Sequence, residues 1–109
     1  MDHKTNIHEL KEKIKDFCEE RDWDQFHNAK ELAIGIVTEA SELLQHFRFK
    51  TERKEELKEE LADILYFTLR LAQRYKIDLT TELNNKMGKN KEKYPIEKAK
   101  GSNKKYTEF

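Results

Sequence analysis

Apolar residues recur every three or four positions along most of this chain, and the recurrence is interrupted in only a few places. From about Thr5 to Glu20, Ile7, Leu10, Ile14, Phe17 and Cys18 fall on one helical face. Thr5, followed by His8 and Glu9, offers an imperfect N-cap for that helix. The stretch "RDWDQFHN", Arg21 to Asn28, breaks the period with two aspartates and an asparagine, and Asn28 can cap the next helix. This second helix is expected from about Ala29 to Phe47, with Val37, Ala40, Leu43, Leu44 and Phe47 at three- and four-residue steps. "RFKTERK" forms the connection, with Thr51 as a cap and Glu52 and Glu55 in the next first turn. The third and longest helix runs from about Glu52 to Tyr75, on a stripe of Leu57, Leu61, Ile64, Leu65, Leu71, Ala72 and Tyr75. A break in "KIDLTTEL" precedes a fourth helix, opened by Thr80 or Thr81 and fading by about Lys91. Beyond Pro95 the pattern supports no stable element.

No stretch alternates like a strand, and three glycines and one proline supply too few turns for a sandwich or barrel. The expected fold is all-α: an antiparallel bundle of about four helices over residues 1–94, followed by a basic, largely irregular tail at 95–109. Apolar residues on more than one side of helices two and three suggest a bundle completed by oligomerisation, as a homodimer or homotetramer.

The second helix carries a contradiction. On a wheel of about 100° per residue, Leu32, Ile36 and Leu43 lie within roughly 60° of Glu39, and Glu42 sits at the edge of the same stripe. An isolated buried carboxylate costs several kcal/mol, and a neighbouring one repels it. "EELAD" repeats the feature on the third helix, where Glu60 and Asp63 stand one turn apart, Glu60 on the shoulder of the stripe and Asp63 nearer its rim. Glu59 also lies one turn from Asp63, so spacing alone leaves Glu59 and Glu60 open. Pairs of this kind arise by chance in a glutamate-rich chain, and most are solvated. Here both pairs interrupt apolar stripes on adjacent helices joined by a short loop. Carboxylates facing one another across such a pair require cations between them. All-oxygen ligation, without cysteine or a histidine at a matching step, favours a hard ion, Mg²⁺ with Mn²⁺ as its substitute.

Composition narrows the setting. Hydrophobic residues make up 36% and charged residues 40%, a ratio suited to amphipathic helices that share their faces. No apolar run reaches the roughly 18–20 residues of a membrane span, and the polar "MDHKTNIHEL" is no signal peptide. The single cysteine, Cys18, has no evident base partner and no internal disulfide mate, so a packed thiol in the cytoplasm is the expectation. Net charge is zero, yet residues 86–109 carry eight lysines against three glutamates, leaving an acidic body and a basic tail. Such a balance gives little attraction to nucleic acid.

Taken in order, "ERDWDQFH", "EASEL", "EELADILYF", "NKMGKNKEKYPIEKAKG" and "KYTEF" resemble the MazG-like all-α nucleotide pyrophosphohydrolases, particularly their small dCTP-pyrophosphatase-like branch. The family's ExxE…ExxD signature falls on Glu39, Glu42, Glu60 and Asp63, which selects Glu60 over Glu59. The resemblance implies Mg²⁺ ions held by these four and gripping a nucleoside triphosphate, cleaved between its α and β phosphates to a monophosphate and pyrophosphate. It further implies that Lys86, Asn90, Lys93 and Tyr94, at helical steps in "KMGKNKEKYP", contact phosphates and sugar. Tyr66 would reach the nucleotide and Trp23 would help enclose the base, with His27 nearby. Seven residues beyond Glu42, where the dCTP-pyrophosphatase-like branch that the chain resembles carries tryptophan, this chain has Phe49, which stacks with less area and no N–H donor.

Two other classes compete with a nucleotide-pool enzyme. A carboxylate-bridged di-iron bundle expects Glu-x-x-His pairs, whereas His46 is four residues from Glu42. A non-catalytic helical nucleotide-binding or interaction module could retain a vestigial metal site.

Overall fold

The computed structural model describes residues 1–48 and 54–109, in two compact units, 1–77 and 78–109. Thr51, Glu52 and Phe49 lie outside the described residues.

Three helices build the first unit: α1 (Ile7–Glu20), α2 (Ala29–Arg48) and α3 (Lys54–Arg74). Asn6, rather than Thr5, caps α1, its Oδ1 accepting the Glu9 N–H at 2.8 Å. Asn28 caps α2 in the same way, accepting from Glu31 N–H at 2.8 Å. The α3 helix runs antiparallel to both neighbours. Against α1, the C-terminal Cys18 meets Tyr66 while Lys11, earlier in α1, meets Gln73 further along α3. Against α2, Gly35 faces Phe67 while His46, later in α2, faces Glu60 and Glu56.

The core is small. Cys18, Leu32, Leu69 and Ala72 are 0–3% exposed, and each fully buried leucine contributes about 1.5–3 kcal/mol. Leu69, absent from the expected α3 stripe, is among the most buried residues. Leu61, Leu65 and Tyr75, which belong to that stripe, are instead 56%, 45% and 62% exposed. The reason is that α3 packs on both α1 and α2, so its buried arc spans two interfaces and turns part of the stripe outward.

The α2 helix likewise divides its apolar residues. Leu32, Ile36, Glu39 and Leu43 lie on the buried side. Ala33, Val37, Ala40, Leu44 and Phe47, spaced alternately by four and three, are all exposed; for Val37, Leu44 and Phe47 the values are 69%, 59% and 50%. Alternating steps of four and three are the spacing that coiled-coil seams use.

In the second unit, α4 (Leu79–Lys93) is capped by Asp78, two or three residues before the expected threonine caps, and Asp78 accepts the Thr81 N–H at 2.9 Å. Past Pro95 the chain is more regular than expected: a short helix α5 (Ile96–Ala99) and a 3₁₀ turn (Tyr106–Glu108) are present. Pro95 starts α5, where its missing N–H costs nothing, and its carbonyl accepts from Lys98 and Ala99. Tyr94 gathers the Tyr106 and Phe109 rings edge-on at 6.0 and 5.8 Å, which gives the C-terminal "KYTEF" something to pack on. The described residues contain no strand, and none of their helices is long and apolar enough to cross a membrane. The fold is all-α, as the hydrophobic pattern requires.

Candidate functional site

The site begins with a missing side chain. A Cβ on Gly35 would lie 2.8 Å from Cδ1 and Cε1 of Phe67. Glycine therefore lets α2 approach the Phe67 ring, one turn before Glu39 and one turn after Asp63. At that close approach the carboxylates face one another. Oxygens of Glu39, Glu42 and Glu60 all lie within 4.8 Å of each other. Glu39 and Glu60 are partly buried and Glu42 is exposed, so the trio sits at the mouth of the helix pair, not in the core.

Electrostatics record the crowding. Hydrogen bonding towards Glu60, then burial, then the nearby Glu42 and Asp63 push the Glu39 carboxyl up to about 7. Glu60 Oε2 is buried and accepts no hydrogen bond within the described residues. An acceptor-only oxygen in that position and a neighbour that retains its proton near neutrality both indicate too much negative charge for the available donors. The donor set suits a hard divalent cation. Ligand oxygens about 2.1 Å from Mg²⁺ stand at most about 4.2 Å apart across the ion, so small side-chain rotations close this trio around one. Asp63 is exposed and outside the tight trio, though its charge reaches Glu39.

His46 is a member of this neighbourhood that spacing alone did not reveal. Its Nε2 lies 3.6 Å from Glu60 Oε1 and its Nδ1 lies 3.2 Å from Glu56 Oε2. The ring thus bridges two carboxylates of α3 from α2. The signal was the antiparallel pairing itself, which brings the end of α2 beside the first turns of α3.

Beyond Asp63 the surface becomes aromatic. Tyr66 packs edge-on against Phe67 at 5.2 Å and Phe17 at 6.3 Å, and Phe17 against Trp23 at 5.5 Å. The Tyr66 hydroxyl lies 3.1 Å from Cys18 Sγ, and burial, helped by that contact, pushes the phenol well above its ordinary range. Tyr66 is therefore a neutral hydrogen-bonding group. Lys13, Ile14, Phe17 and Tyr66 line an apolar depression of about 250 Å³. That is smaller than the ~300–1,000 Å³ of most drug-sized ligand pockets, and it has room for a ring system. The Lys13, Ile14 and Phe17 walls were not foreseen, because α1 shows only an ordinary amphipathic pattern.

His27 sits further away. Burial and the Arg74 guanidinium lower its pKa, which favours the neutral imidazole, and Nδ1 is buried with no hydrogen-bond partner among the described residues. Arg74 is 14 residues past Glu60, roughly 21 Å along a helix. The rings of Trp23, at 6.1 Å from His27, and of Phe17 lie between His27 and the Tyr66 end. Within the second unit, Lys86 and Asn90 are exposed on α4 and Lys93 and Tyr94 are half-buried. Lys93 Nζ lies 4.8 Å from the centre of the Tyr106 ring.

A strand-free helical unit with a carboxylate trio facing across two antiparallel helices defines a class of all-α acidic-site domains. Residues 28–109 match the model of the MazG-like family, and the chain belongs to that family. It is similar to human dCTP pyrophosphatase 1, 36% identical over 105 residues that cover 86% of this chain and 62% of the human protein. The bovine protein of the same name is 35% identical over the same shares. The chain thus spans less than two thirds of the length of these curated relatives. Among solved structures it resembles a pyrophosphatase from Archaeoglobus fulgidus, with a TM-score of 0.77 and 34% identity, covering 82% of this chain and 92% of that one.

Proposed function

We propose that this protein is a Mg²⁺-dependent nucleoside triphosphate pyrophosphohydrolase, releasing pyrophosphate and a nucleoside monophosphate in nucleotide-pool house-cleaning. The observation that carries this reading is the trio Glu39, Glu42 and Glu60, whose oxygens lie within 4.8 Å of each other. The names borne by the relatives supply the reaction class.

In this reading Glu39, Glu42, Glu60 and Asp63 hold Mg²⁺, or Mn²⁺ in its place, at the mouth between α2 and α3. When bound, such a cation would supply Lewis-acid polarisation of the α-phosphorus and would offset negative charge developing in the transition state. An oxygen of Glu39 or Glu42 not engaged with the cation would accept a hydrogen bond from the attacking water and orient or deprotonate it. Tyr66, neutral and one turn from Asp63, meets the nucleoside, and Trp23 and Phe49 enclose the base, with His27 as a neutral hydrogen-bonding group. Lys86, Asn90, Lys93 and Tyr94 contact phosphates and sugar; lysine suits a phosphate as a mobile point charge. dCTP-like and modified deoxynucleoside triphosphates are the first substrates to assay. The exposed seam of α2 supports a homodimer or homotetramer, and the single packed thiol supports a cytoplasmic setting.

The test is replacement of one carboxylate at a time. Glu42→Gln and Asp63→Asn should each reduce pyrophosphate release by roughly 100-fold or more with an unchanged helical circular dichroism spectrum. Full activity in both variants would remove the site.

A further inference from the structure

Arg70 is 7% exposed and lies on α3 between Leu69 and Leu71, the most deeply placed charge among the described residues. A guanidinium in that environment loses several kcal/mol of hydration unless it is paired with good geometry. Its Nη2 donates to Asp24 Oδ1, and its Nη1 donates to Gln73 Oε1 at 3.0 Å. Gln73 Nε2 in turn donates to the Lys11 carbonyl at 2.9 Å. One buried cation therefore ties α3 to the α1–α2 loop directly and to α1 through Gln73.

The loop it holds carries the aromatic wall. Asp22 takes a left-handed backbone, with φ of +54°, a conformation that non-glycine residues adopt rarely. The Trp23 N–H then donates back to the Cys18 carbonyl at 3.0 Å, and the Phe26 N–H to the Trp23 carbonyl at 2.9 Å. These bonds are local, and the side chain of Asp24 is the loop's charged anchor to α3. Trp23 is 39% exposed and rests on Phe17, which also lines the apolar depression beside Tyr66.

We propose that Arg70 is a positioning residue for nucleotide binding: through Asp24 it fixes the α1–α2 loop and so holds Trp23 in the wall of the base site. The proposal rests on the pyrophosphohydrolase reading only for what Trp23 touches; the clamp itself stands on contacts within residues 1–77. Arg70 pairs with Asp24 and Gln73 rather than with the carboxylates of Glu39, Glu42 and Glu60, so its effect falls on binding, not on the chemical step.

Trp23 is the only tryptophan of the chain, so its fluorescence reports the loop without a label. Arg70→Met keeps the volume and removes the charge; Arg70→Lys keeps the charge and loses the fork; Asp24→Asn keeps a side-chain acceptor at a half-exposed position. In nucleotide-free protein, Arg70→Met is expected to red-shift Trp23 emission and raise acrylamide quenching, with Arg70→Lys and Asp24→Asn intermediate. With a triphosphate substrate and Mg²⁺, Arg70→Met should raise KM roughly tenfold and leave kcat within about twofold, with an unchanged Mg²⁺ requirement. If Arg70→Met does not fold, Asp24→Asn and Arg70→Lys carry the test with the same readouts. Unaltered Trp23 emission and quenching in folded variants, or a fall in kcat at constant KM, would overturn the clamp. Should the wild type release no pyrophosphate from any triphosphate, the functional reading fails, while the fluorescence shift still decides whether Arg70 holds the loop.

Discussion

Glu39 concentrates the physics of the site in one carboxyl group. Its pKa is raised from 4.5 to about 7, first by hydrogen bonding towards Glu60. In the unfolded chain the group ionises near its ordinary value, so between these limits the native state binds more protons than the unfolded state. Stability of the cation-free protein therefore falls as pH rises through that window, and is fully retained only below it. Thermal melts in EDTA should show a declining melting temperature from about pH 5 to about pH 7, and Mg²⁺ should restore it. Glu39→Gln should flatten the decline, since an amide neither ionises nor repels Glu42. A melting temperature independent of pH and of Mg²⁺ would show that the carboxylates do not oppose one another. This tension was legible in the sequence, because Glu39 shares a wheel sector with Leu32, Ile36 and Leu43. The contribution of His46 was not, because its contact with Glu60 arises from the antiparallel placement of α2 and α3. The Arg70–Asp24 pair was hidden for the same reason: 46 residues separate the partners, and neither fits a local spacing rule.

At the scale of elements, the α2–α3 pair depends on Gly35. Gly35→Ala gains up to about 1 kcal/mol of helix propensity, yet its methyl group would meet the Phe67 ring at 2.8 Å. Overpacking of this kind typically costs about 1–3 kcal/mol, so the net effect is destabilising. Because Glu39 is one turn away, the variant should also weaken Mg²⁺ binding. Urea denaturation and Mg²⁺ titration should show both losses, and Gly35→Ala combined with Phe67→Leu should recover much of each. If Gly35→Ala is stabilising, α2 does not need this close approach. Helix existence was readable from period alone, and Asn28 was readable as a cap. Thr5 and Thr80 or Thr81 were displaced by Asn6 and Asp78, whose side chains are the stronger N-caps. The four-residue α5 is too short for any period to show, and it forms where Tyr94 gathers Tyr106 and Phe109.

At the scale of the molecule, Ala33, Val37, Ala40, Leu44 and Phe47 form a regularly spaced exposed apolar face on α2. Self-association through α2 predicts a mass of two or four chains by light scattering. Val37→Glu together with Leu44→Glu should shift that mass towards one chain, because two buried carboxylates in such a seam are strongly unfavourable. A wild-type monomer would assign the seam another partner. The central claim is chemical and can be read in one assay: purified protein, Mg²⁺, and a panel of canonical and modified nucleoside triphosphates, with pyrophosphate as the product measured. The carboxylate site predicts Mg²⁺-dependent pyrophosphate and monophosphate in equal amounts from at least one triphosphate, abolished by EDTA and by Glu42→Gln. No pyrophosphate from any triphosphate, or release that persists in EDTA, would contradict it.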